Sequence, residues 1–224
     1  MANYRTKLLL ITFLLAGCTG IHSMSDKQLG NAKSNAGKHK EALIHYSQAL
    51  ETNQKDWELW FNRALTNQKL GFHEKAIEDV NKSITLNPSN SESYLLSSTS
   101  KKAIGDFTGQ VRALKQSITI NPEFAAGYIN LGNISRDNDK DYVIAIANYS
   151  KAINILSAKE VNLHPKIKEE LILSYGNRSV AYQRNGNLPK ACKDTKKASS
   201  LGSIKIKQFL ETPEGAWCKN MNVN

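Results

Sequence analysis

Cysteines, histidines and a set of Asn-x-Ser triplets are the side chains of this sequence that could do chemistry. His73-Glu74 begins as a zinc-binding helix begins, where a second histidine four residues on shares the metal. The residue at that place is Ile77, so the second ligand is missing. His22, His39, His45, His73 and His164 are scattered, and no two stand four apart on one helix. Gly30 to Gly37-Lys38 has the glycines and lysine of a phosphate loop, but the spacing is wrong and no Ser or Thr follows the lysine. No Gly-x-Ser-x-Gly elbow and no Cys-x-x-Cys pair occurs. Asn81, Asn133, Asn148 and Asn177 each head an Asn-x-Ser triplet, which the abundance of Asn and Ser accounts for. The expectation is a protein that is not an enzyme, with no cofactor, no metal and no small-molecule substrate.

Cys18 belongs to an address. Met1 to Lys7 carries Arg5 and Lys7 and no acid, and Leu8 to Ala16 is almost wholly apolar. As a helix that stretch reaches about 15 Å, half of a ~30 Å hydrocarbon core. A basic start, a short apolar run and small residues read as a secretory signal peptide. Leu15-Ala16-Gly17-Cys18 resembles the lipobox of bacterial lipoproteins. That resemblance implies cleavage before Cys18, lipidation of Cys18 and a membrane-anchored chain facing the periplasm or outer leaflet. An ordinary signal with a chance cysteine, or an uncleaved anchor, is the alternative. Two or more acyl chains would carry anchoring beyond the marginal regime, at about 0.8 kcal/mol per buried methylene. Thr19 follows the cysteine. In lipoproteins an Asp there often retains the protein at the inner membrane, so its absence weakly favours the outer one.

The remainder repeats. Gly37, Gly71 and Gly105 are 34 residues apart, as are Trp60, Tyr94 and Tyr128, and as are Pro88 and Pro122. Such a period, with a helix-turn-helix pattern, resembles the tetratricopeptide repeat (TPR) family. The resemblance implies an all-α fold, a right-handed helical-repeat solenoid of about five TPR helix-turn-helix units with a C-terminal capping helix. The expected layout is a signal peptide at 1–17, a lipidated tether at 18–24, a solenoid at 25–211 and a C-terminal tail at 212–224. The repeats fall at about 23–56, 57–90, 91–124, 125–159 and 172–205. Ala64 and Ala76 are the small residues that let paired helices approach. Gly71 ends the first helix of its unit, and Pro88 closes the second. Repeat four has an extra turn residue and Asp139 at the glycine place, where Asp is expected to take the left-handed backbone. An insertion, Val161 to Leu171, precedes repeat five. Pro165 there predicts a longer first helix, to about Arg184. Ile204, Ile206, Phe209 and Leu210 predict the cap that covers the last open face.

Cys192 holds a place that is Leu43, Ile77, Val111 and Ile146 in the other units, so it should face the next layer. For the last unit that layer is the tail, which carries Cys218. A disulfide between Cys192 and Cys218 and two buried free thiols are both open; the former suits an oxidising exported compartment.

Composition excludes several classes. With 40% hydrophobic and 22% charged residues the chain is not disordered, and three cysteines cannot form a disulfide scaffold. The net charge of +10 permits an anionic partner without demanding one. Lysines 190, 193, 196, 197, 205 and 207 face only Asp194 between Pro189 and Lys207. A solvated outer face accounts for them, with contact to anionic lipid as the alternative. No nucleic-acid motif is present.

In the TPR family the first helices line a concave groove. That resemblance implies a partner-binding surface of Phe61, Asn62, Leu65, Lys69, Leu95, Lys102, Ile129, Asn130, Asn133, Arg136, Asn177 and Arg184, with Lys27, Asn31, Leu96 and Thr99 beside them. Lys27, Asn31 and Asn62 match three positions of the carboxylate clamp of chaperone-binding members, but Glu92 and Leu96 break it. The expected function is a membrane-tethered protein–protein interaction scaffold in envelope or membrane-complex assembly, binding a peptide or partner helix of another protein. The alternatives are a chaperone-like adaptor for exported clients, or a non-catalytic accessory factor of a cell-wall enzyme.

Overall fold

The computed structural model describes residues 24–158 and 164–222. The signal peptide, Cys18 and most of the tether lie outside the described residues, as does the start of the insertion. Among the described residues there are twelve α-helices and no strand. Ten of the helices form five successive pairs. These are α1 (Asp26–Asn35) with α2 (His39–Thr52), α3 (Trp57–Lys69) with α4 (His73–Leu86), and α5 (Ser91–Ala103) with α6 (Phe107–Ile120). Then come α7 (Ala125–Asp137) with α8 (Tyr142–Ser157), and α9 (Pro165–Arg184) with α10 (Leu188–Ser200). Each pair packs on the next, which is a helical-repeat solenoid. The short α11 (Ile204–Leu210), a 3-10 turn at Pro213–Gly215 and α12 (Ala216–Lys219) follow.

Side-chain caps set where the helices start. Ser25 Oγ accepts from the Gln28 backbone N–H while Gln28 Oε1 accepts from the Ser25 N–H, a reciprocal capping box. Asp56 Oδ1 accepts from the N–H groups of Glu58 and Leu59. Asn90, Asp106, Asp141 and Asn187 cap α5, α6, α8 and α10 in the same way. Each such cap contributes about 1 kcal/mol.

Turn glycines set where the first helices stop. Gly71 has φ +81°, and the Phe72 N–H returns 2.9 Å to the Asn67 carbonyl. In repeat four the expectation for Asp139 is corrected: the left-handed residue is Lys140, with φ +57°. The extra residue lets the chain make one more right-handed step, because Asn138 and Asp139 both donate to the Ile134 carbonyl. The left-handed step then brings the Asp141 N–H to within 2.8 Å of the Ser135 carbonyl and starts α8.

Among the described residues the core is a set of small clusters at three of the four layer boundaries rather than one central mass. Ala42, Tyr46, Leu50 and Leu59 join the first two pairs, with Trp60 packed on them. Ala64, Val80 and Leu96 join the next boundary, and Ala125, Ala152, Ile153, Leu156 and Leu171 a later one. Ala64 and Ala76 are wholly buried.

After α11 the chain turns back onto α10. The Sγ atoms of Cys192 and Cys218 are joined in a disulfide, and both residues are fully buried. Lys196 Nζ donates to the Met221 carbonyl, a second tie between α10 and the tail.

Candidate functional site

The face built by the first helices holds an open cavity of about 690 Å³. Its apolar lining is Phe61 and Leu65 of α3, Leu95 and Leu96 of α5, Phe124 and Ala125 at the start of α7, Leu156 of α8 and Ile167 of α9. Its polar lining is Gln68, Glu92, Thr99, Asn121, Glu123, His164, Lys166 and Glu170. Gln68 braces the wall, donating from Nε2 to Thr99 Oγ1 and to Ser100 Oγ across the α3–α5 boundary.

The cavity gathers Phe61, Leu65 and Leu95 from the expected groove residues, with Leu96 and Thr99 beside them. Lys69, Lys102, Ile129 and Arg184 do not line it. Neither do Asn62, Asn133 and Asn177, which bond between layers, nor Asn130. Asn31 Oδ1 accepts from the Tyr46 hydroxyl at 2.8 Å and from Asn62 Nδ2 at 3.1 Å. Asn133 Oδ1 accepts from the Tyr149 hydroxyl at 2.7 Å and from Asn177 Nδ2 at 3.2 Å. Asn130 Nδ2 donates back to the Ala126 carbonyl of its own helix. Arg136 donates through Nη1 to Asn177 Oδ1 and holds Asp137 through Nε and Nη2. Burial pushes the Tyr149 hydroxyl up to about 12, against the opposing Arg136 charge.

Lys27 is committed too. Its Nζ lies 2.8 Å from Asp56 and 2.6 Å from Glu58. Burial opposes charge on Asp56, but the Lys27 bond and two backbone donors outweigh it and hold the carboxyl below its ordinary value. The would-be carboxylate clamp is therefore spent inside the fold.

A second polar device appears towards both ends of the solenoid. Arg63 binds Asp79 with two nitrogens, reaches Ser47 Oγ and lies 4.9 Å from the Trp60 ring centre. Arg178 binds Asp194 with two nitrogens, reaches Ser150 Oγ and sits near the Tyr175 and Tyr182 rings. These arginines tie a first helix to its own partner and to the preceding layer.

Sequence reasoning misses Gln68, Glu123, His164, Lys166, Ile167 and Glu170 as lining residues. Four of these lie at the start of α9, outside the repeat frame. Pro165 and the spacing of Ile167 and Leu171 signal the added helix, but no sequence period shows which wall it joins.

The pair α3–α4, with Trp60, Ala64, Gly71 and Ala76 in register, decides the family comparison. Residues 58–90 match the tetratricopeptide repeat. The described solenoid resembles several solved structures, two of them described as TPR proteins. MamA is 24% identical with a TM-score of 0.63, over 80% of this chain and 97% of that one. TTC0263, a thermophilic TPR protein of Thermus thermophilus, is 19% identical with a TM-score of 0.60, over 88% and 98%. YrrB, described as a TPR protein with an unusual peptide-binding site, is 13% identical with a TM-score of 0.56, over 83% and 90%. At these identities the likeness is one of fold. A comparison with curated proteins found no match. Among the described residues no helix is long and apolar enough to cross a membrane, and no cluster of His, Cys, Asp and Glu could hold a metal ion.

Proposed function

We propose that this chain is a non-catalytic interaction scaffold, tethered to a membrane through lipid on Cys18, that holds a segment of another protein in the cavity of its first-helix face. The observation that carries the reading is the cavity itself. It is open, apolar-floored and contributed by several successive repeats, which suits an extended peptide or one face of a helix. The peptide-binding site described for YrrB, of the same fold, supports a protein ligand. The lipobox residues Leu15 to Cys18 support export and anchoring, and Thr19 to Met24 spans at most about 20 Å when extended. The first repeat then sits close to the bilayer, so the partner is membrane-associated or part of an envelope assembly.

The test is affinity capture of the lipidated chain from its native membrane, beside a Phe61→Ala/Leu95→Asp variant. One stoichiometric companion, lost in the variant, is expected. A companion retained in full by the variant would remove the cavity from the account. Mass spectrometry of the N-terminal peptide checks the tether: an acylated Cys18 is expected, and an intact Met1 terminus on soluble protein would overturn it.

A further inference from the structure

We infer that the cavity selects a partner segment in which lysine or arginine stands beside bulky apolar residues; this rests on the peptide-holding reading above. Glu92, Glu123 and Glu170 enter the cavity lining from three different elements. Their carboxylates have no ion pair or hydrogen bond among the described residues. Many other acids of this chain are engaged: Asp79 and Asp194 by arginines, Asp56 by Lys27, Asp137 by Arg136 and Glu41 by Lys33. Among the described lining residues Lys166 is the one lysine against three glutamates, a negative balance in a chain whose formal charge is +10.

The floor beneath that rim is apolar, through Phe61, Leu65, Leu95 and Phe124. An uncharged apolar segment would fill the floor but strip water from three carboxylates without replacing its hydrogen bonds. An acidic segment would add repulsion. A segment with cations flanking apolar side chains satisfies both surfaces, because lysine and arginine lay their methylene stems on apolar walls and keep their charge at the rim.

The test uses the full chain in detergent with its disulfide intact, and short fluorescent peptides in which leucine alternates with lysine, glutamine or glutamate. Fluorescence anisotropy should rank lysine above glutamine above glutamate. The variant Glu92→Gln/Glu123→Gln/Glu170→Gln, whose thermal melt should match the parent's, should bind the lysine peptide about tenfold more weakly and the glutamine peptide within about twofold. Added salt should weaken the lysine peptide toward the glutamine one, as the screening length falls from ~10 Å at 0.1 M to ~3 Å at 1 M. Equal binding of all three peptides, or preference for glutamate, would overturn this inference and leave the peptide-holding reading standing. Binding of none would remove both. Concentration-dependent self-association abolished by the triple variant would assign the cavity to a second copy and also overturn the inference.

Discussion

A Cβ on Gly132 would stand 2.7 Å from Cε1 of Tyr149, so the Tyr149 ring lies directly on the α7 backbone. Gly30 has the same relation to Tyr46, at 2.6 Å. In the repeat register these are one pair of places, small on the first helix and large on the second. Ala64 with Val80, Ser98 with Leu114 and Ser179 with Thr195 fill them elsewhere, and all six of those residues are buried. The two places trade volume, and only glycine leaves room for tyrosine.

That trade gives a sign reversal. Gly132→Ala should destabilise the protein by about 1–3 kcal/mol through overpacking. In a Tyr149→Val background the same change should stabilise by up to about 1 kcal/mol, because alanine outranks glycine in a helix. Urea unfolding of the four proteins of this cycle checks it. Equal effects in both backgrounds would mean the ring is not the obstacle.

The Arg178–Asp194 pair should matter far more than the surface pairs. Its side chains are 16% and 6% exposed, against 33% and 48% for Lys33 and Glu41. Asp194→Ala leaves an uncompensated, largely buried guanidinium and should cost about 3–5 kcal/mol. Glu41→Ala should cost less than about 1 kcal/mol. Denaturant titration separates the two.

Two pH limits follow from groups at the layer boundaries. Asp56 and Asp137 are held below the ordinary 3.8; the Arg136 hydrogen bond is the largest influence on Asp137. A depressed acid contributes stability above its unfolded value, lost as pH falls through the folded one. Thermal melts should therefore weaken below about pH 4, and less steeply in Asp56→Asn.

Tyr149 sets the alkaline limit. Its hydroxyl is raised from 10.0 to about 12, so the folded state keeps a proton that the unfolded chain gives up. Its contribution is intact below pH 10 and lost between 10 and 12. Ultraviolet titration of the phenolate, parent against Tyr149→Phe, should show one late-titrating group. Its absence would contradict the burial of that ring.

The Cys192–Cys218 bond closes the end of the solenoid. The double Cys→Ala variant should lose about 3–4 kcal/mol. Because repeats contact only their neighbours, hydrogen exchange should rise in α10 to α12 and stay unchanged in α1 to α6. Uniform loosening along the chain would contradict that local role.

The periodic features of this protein are written in its residue order. Glycines, aromatics and prolines at a 34-residue spacing specify helix ends and large-against-small contacts, which are local or nearest-neighbour matters, so the five helix pairs are legible. The long α9 is legible for the same reason, through Pro165 at its first turn. How the polar groups are spent is settled by the packing of the layers alone. Asn62, Asn133, Asn177 and Arg136 look like ligands when the first helices are read one by one, yet each has a hydrogen bond to a partner in the adjoining layer. Which side chains are used up depends on distances between residues 31 to 44 positions apart, and no residue type encodes those. The meeting of Glu92, Glu123 and Glu170 around one apolar floor is likewise set by how the layers stack.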